Sequence, residues 1–123
     1  MNSKQFLSNS TVNSIKKAKL ELKRNEYAFY TVRKQVEKEL TQAMMDVETA
    51  WKKFQGSKKY LSSAKEAIRQ ITLKFETGAA GILEYNDVMS SLIDAQTQYL
   101  STKYEYLFKI KVLSLYQNEF VIR

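Results

Sequence analysis

The sequence contains no proline, no cysteine and no histidine, and only three glycines in 123 residues. The lack of proline and near-lack of glycine removes most chain punctuation, which favours a few long helices over many short elements. The lack of cysteine excludes disulfides and thiolate metal sites. The lack of histidine removes the commonest general base and metal ligand. A catalytic centre would have to rest on Asp, Glu, Lys and Tyr, so no enzyme activity, cofactor or metal site is expected. No apolar run approaches the roughly 20 residues of a membrane-spanning helix. The opening MNSKQFLSNS lacks the apolar stretch of a signal peptide.

What is present is charge and periodicity. Hydrophobic residues make up 44% and charged residues 27%, which excludes a purely disordered tail. The formal net charge is +7, and it is uneven: residues 1–40 hold nine Lys/Arg against four Asp/Glu. Such a basic half suits nucleic acid, an anionic membrane or a plain solvated helix face. A nucleic-acid role would rest on Lys16, Lys17, Lys19, Lys23 and Arg24. The solvated face is the favoured reading, and no nucleic-acid partner is expected.

Polar residues from Ser8 to Thr11 offer N-caps for a first helix. Residues 1–10 are accordingly expected to be a disordered or artificial N-terminus. A seven-residue row then runs through Ile15, Leu22, Phe29, Val36, Ala43, Ala50, Ser57, Ala64 and Ile71. A second row joins at Leu40, Val47, Phe54, Leu61, Ile68 and Phe75. Rows spaced alternately by three and four residues form the apolar seam of a coiled coil. From Ala43 to Ala64 one row is small and the other large, a pattern that lets a neighbouring helix approach closely. Gly56 leaves the period unbroken and is read as helix interior at a close contact. The pattern predicts a helix over about 11–77.

The segment TGAAG at 77–81 breaks it. Gly78 suits the left-handed residue after a helix C-terminus. Gly81 suits an N-cap, with Glu84 at the third helical position beside free amides. A turn over 78–81 is short enough to force two antiparallel helices. The second helix is predicted over about 82–118. It carries the row Tyr85, Leu92, Tyr99, Tyr106, Leu113, Phe120, and is also apolar at Val88, Ile93, Ala95, Leu100, Tyr104, Leu107, Phe108, Val112 and Leu115. One seam buries only one stripe, so this helix asks for neighbours on two sides. Being shorter, it can cover only the C-terminal half of the first helix, which leaves residues 11–39 with an apolar row to fill. The fold class expected is all-α: a long antiparallel hairpin over 11–123 that is incomplete alone.

Glu84 and Asp87 lie three apart on one helix face. They form a cation site or electrostatic gate, or they simply favour the positive helix end. The tyrosines sit at heptad spacing away from the lysine-rich half, so packing is preferred over base stacking. Trp51 and Met44-Met45 are read as contact residues. GAAG is not a phosphate loop, having no Lys-Ser/Thr after it.

The stretch ITLKFETGAAGILEYNDVMSSLIDAQTQYLSTKYEYLFKIKVLSLYQN, residues 71–118, resembles the C-terminal helical hairpin of the TolC-like outer-membrane efflux proteins. The resemblance lies in the order Phe75, Gly78, Ile82-Leu83-Glu84, Asp94-Ala95-Gln96 and Tyr104 to Tyr106. Upstream, NSIKKAKLELKRNEYAFYTVRKQVEKELTQAMMDVETAW resembles that family's long helix leaving a barrel strand. The resemblance implies a segment of a trimeric α-helical barrel reaching into the periplasm from the outer membrane, here excised from a longer chain. It implies a periplasmic adaptor protein and an inner-membrane pump as partners. It also implies an adaptor-docking tip at Gly78, Ala79, Ala80 and Gly81, and a constriction at Phe75, Glu84 and Asp87. Ala80 stands where some members carry an arginine, Gly81 where a Ser or Thr cap is usual, and Phe75 lacks the hydroxyl of a gating tyrosine. The alternative expectation is a stand-alone coiled-coil module that self-associates through the same seams.

Overall fold

The computed structural model describes residues 2–121, and side chains as far as Asn118. It contains two helices, α1 at Ser3–Glu76 and α2 at Ile82–Val121, and no strand among the described residues. Two units meet in sequence between Glu39 and Leu40.

In the first unit the helix begins at Ser3, so residues 3–10 are helical rather than disordered. The Asn2 carbonyl accepts the amides of Gln5 at 2.9 Å and Phe6 at 3.4 Å, which starts the helix there. Ser8 to Thr11 do not cap anything. The Thr11 hydroxyl donates to the Leu7 carbonyl at 2.8 Å and that of Ser14 to Ser10 at 3.0 Å. A Ser or Thr hydroxyl bonds back to the preceding turn as readily as it caps, and no Gly or Pro precedes Gly56 to stop the helix. Every residue from Asn2 to Gln35 is exposed, including the row Ile15, Leu22 and Phe29.

The second unit is an antiparallel hairpin. Its register is read from cross-helix contacts: Asp46 with Lys109, Trp51 with Tyr106, Lys53 with Glu105, Ser57 with Thr102, Tyr60 with Asp94, and Phe75 with Tyr85. The row Ala43, Ala50, Ser57, Ala64 and Ile71 is buried against α2, which answers with one fully buried residue, Ala95. Tyr85, Leu92, Tyr99, Tyr106 and Leu113 are half-buried. Two helices alone cover only a stripe of each other. Phe54 stands at the centre, with ring centroids 5.6 Å from Tyr99, 6.0 Å from Tyr106 and 6.1 Å from Trp51. Such aromatic pairs add about 1 kcal/mol each beyond the area they bury.

Three expectations about individual residues change. Gly56 is interior to α1 but exposed, and a Cβ there would meet nothing within 4 Å, so no close contact explains it. Met44 and Met45 are each 57% exposed and are not contact residues of the hairpin. The last helix runs to Val121 rather than ending near 118. Phe120, the last member of its expected row, lies outside the described side chains.

Candidate functional site at the hairpin tip

The turn is built from backbone geometry. Gly78 has φ of 74°, the left-handed region in which a side chain would be strained. The Ala79 amide donates to the Lys74 carbonyl at 2.7 Å and the Gly78 amide to the Phe75 carbonyl at 3.1 Å. That pair of bonds is the Schellman closure of a helix C-terminus. The Thr77 hydroxyl adds contacts of 3.1 Å to the Leu73 and Lys74 carbonyls. On the other side of the turn, the Gly81 carbonyl accepts the Tyr85 amide at 3.1 Å and opens α2.

Above this turn, Phe75 and Tyr85 close the base of the tip, their ring centroids 5.3 Å apart at 36°. Gly78, Ala79 and Gly81 are exposed and Ala80 is half-buried. Ile82 and Leu83 project at 54% and 78% exposure. Glu84 lies in the first turn of α2 and Asp87 one turn further on; both are exposed. Among the described residues neither carboxylate side chain takes part in a hydrogen bond or ion pair. The seven named positions, Phe75, Gly78, Ala79, Ala80, Gly81, Glu84 and Asp87, thus fall within one closed end of the hairpin. Chemically, the tip offers two solvated carboxylates beside an apolar knob. No group of three or more His, Cys, Asp or Glu among the described residues could hold a metal ion.

The cross-helix polar contacts escaped the sequence reading. The Lys109 ammonium reaches Asp46 at 3.1 Å, Lys53 reaches Glu105 at 3.3 Å, and the Tyr60 hydroxyl donates to Asp94 at 3.3 Å. Gln42 also donates to Asp46, at 2.9 Å. Asp46 is held below its ordinary carboxylate range, first by Gln42 and then by Lys109. Burial and the Asp94 charge push the Tyr60 hydroxyl upward. The signal was available: Asp46, Lys53 and Tyr60 recur every seven residues, three places after Ala43, Ala50 and Ser57.

Away from the tip, Lys16, Lys19 and Lys23 share one side of α1 by their spacing, while Lys17 and Arg24 share another. All five are exposed. On α2 a second apolar stripe is also exposed, at Ile93, Leu100, Tyr104, Leu107, Phe108 and Leu115. No described helix is long and apolar enough to cross a membrane.

No family model, no curated protein and no solved structure matches this chain.

Proposed function

We propose that the chain is a periplasmic hairpin of a TolC-like outer-membrane efflux channel, a passive conduit whose closed end docks an adaptor and gates the pore. The observation that carries this reading is the exposed apolar stripe of α2, from Ile93 to Leu115, on a helix that already packs against α1. A helix apolar on two sides needs a neighbour on each, as the staves of an α-helical barrel have. The tip supports it further. The Glu84 and Asp87 carboxylates are exposed and have no hydrogen-bond or ion-pair partner among the described residues, and cyclic symmetry around a pore brings copies of such carboxylates together and favours cations. The outer-membrane location, the trimer, the adaptor and the pump all belong to this proposal. Phe75 takes part here through its contact with Tyr85, as an apolar base of the gate rather than a hydrogen-bonding one.

The test is conductance of the gene product carrying this hairpin in planar bilayers. Glu84→Ala combined with Asp87→Ala is expected to lower cation selectivity and weaken block by divalent cations. Unchanged selectivity removes the acidic constriction, and no conductance at all from that gene product removes the channel. A second reading, a self-associating coiled-coil module, is favoured by the exposed row Ile15, Leu22, Phe29 on α1. It predicts association without any pore.

A further inference from the structure

Residues 7–36 carry a seam of their own. Ile15, Leu22, Phe29 and Val36 continue, seven residues at a time, the row that is buried as Ala43, Ala50, Ser57, Ala64 and Ile71. Three places after each of the first three stand Ala18, Asn25 and Val32, which completes an alternating three-four pattern. The seam is open: Ile15 is 51% exposed, Leu22 60%, Phe29 68% and Val32 62%.

We propose that this seam is covered by the same segment of a second copy of the chain, running antiparallel. Phe29 then sits on the partner's Ala18, and Lys19 pairs with the partner's Glu26. Three observations select this occupant and this register. The first is the precedent of the hairpin, where the same seven-residue row, from Ala43 to Ile71, is buried in an antiparallel helix pair. The second is size: Phe29 over Ala18 sets a ring against a small residue, and in the hairpin the small Ala50 is buried next to Trp51, whose ring meets Tyr106.

The third is charge. Lys19, Glu26 and Arg33 flank one edge of the seam, and Ser14, Glu21, Ala28 and Gln35 flank the other. A parallel copy would set Glu21 beside the partner's Glu26 on both edges. Like charges there are destabilising. In an antiparallel pair each edge meets its own kind. With Ile15 facing the partner's Val32, the two-fold axis makes the Lys19–Glu26 contact twice. A slip of one heptad in one direction sets Glu26 against the partner's Glu26, and in the other Lys19 against the partner's Lys19. Asn25 faces the partner's Leu22, a polar intrusion that weakens the seam while limiting how it can pair. An anionic membrane suits the segment less. Leu20 and Tyr27, 65% and 78% exposed, project from the side opposite the seam, so neither side is uniformly polar. The pairing rests on the self-associating reading and not on the channel, because copies around a cyclic barrel run parallel and make no two-fold antiparallel contact.

Sedimentation equilibrium of the full chain is expected to show a concentration-dependent dimer. Lys19→Glu and Glu26→Lys, each alone, should weaken it about tenfold, because two attractive contacts become repulsive. The combined exchange should restore it to within about twofold. In a second experiment, Lys19→Cys combined with Glu26→Cys should give a disulfide-linked dimer on oxidation, since 19 and 26 are two turns apart and cannot bridge within one chain. A chain monomeric at all concentrations overturns the proposal, and so does a dimer indifferent to both charge reversals. Monomers that sediment with anionic lipid vesicles would assign the segment to lipid instead and overturn it equally.

Discussion

The Ser57 and Thr102 hydroxyl oxygens lie 2.6 Å apart between α1 and α2, the shortest polar contact linking the two helices among the described residues. Ser57 also lies 2.8 Å from the Phe54 carbonyl, and Thr102 lies 2.8 Å from that of Gln98. Each hydroxyl has one proton, so one backbone bond yields whenever the cross-helix bond forms. Ser57→Ala is therefore expected to cost only about 1 kcal/mol, because Thr102 retains a backbone acceptor. Ser57→Leu should cost more, about 2 kcal/mol, through overpacking of the small row. Urea unfolding followed by circular dichroism measures both. A Leu variant as stable as wild type would show that α2 does not pack closely on Ser57.

The glycines divide into two kinds. At Gly78 an Ala must adopt a positive φ, and Gly78→Ala should destabilise the hairpin by about 1 kcal/mol. At Gly56 the helix is ordinary and a Cβ has open space, so Gly56→Ala should stabilise by up to about 1 kcal/mol. Opposite signs in one thermal-denaturation series are the expected result.

Phe54 joins Trp51, Tyr99 and Tyr106 in one cluster. Phe54→Ala should cost about 2 kcal/mol, less than for a fully buried ring because the site is half-open to water. A double-mutant cycle on Trp51 and Tyr106, with ring centroids 5.1 Å apart, should return a coupling of about 1 kcal/mol. Zero coupling would contradict the register.

Acid should weaken the helices in a defined window. Glu66 is held down to about 2, chiefly by hydrogen bonds from Arg69 and then Gln70. A carboxylate with a lowered pKa favours the folded state above its ordinary value of 4.5, and that contribution fades as pH falls toward about 2. Asp46 behaves in the same sense through Gln42 and Lys109, and acts across the two helices. Melting temperature is expected to fall between pH 4.5 and 2, and the fall should be shallower in Glu66→Gln and in Asp46→Asn. Identical pH profiles for wild type and both variants would remove these contacts as contributors.

Several elements were legible from the residues alone. The turn was, because Gly78 and Gly81 are the only breaks between long periodic runs. The buried row from Ala43 to Ile71 was as well, because a seven-residue repeat reports which side of a helix is covered. The helix start was not, since Ser8 to Thr11 serve equally as caps or as interior residues that bond backwards. Nor could the pattern tell that the hairpin leaves Met44 and Met45 more than half exposed, for apolar side chains at a surface carry no distinguishing mark.

By itself the sequence determined that the chain forms two helices and where it turns between them. A chain without proline, with glycine confined to Gly56, Gly78 and Gly81, has few other places to turn. The tertiary structure decided the register and the polar contacts that go with it: Lys109 on Asp46, Lys53 on Glu105, Ser57 on Thr102. Local periodicity says which side of a helix faces a neighbour, but not how far one helix is slid along the other. That offset follows from rings meeting rings and unlike charges meeting across the seam, relationships that exist only once both helices are in place.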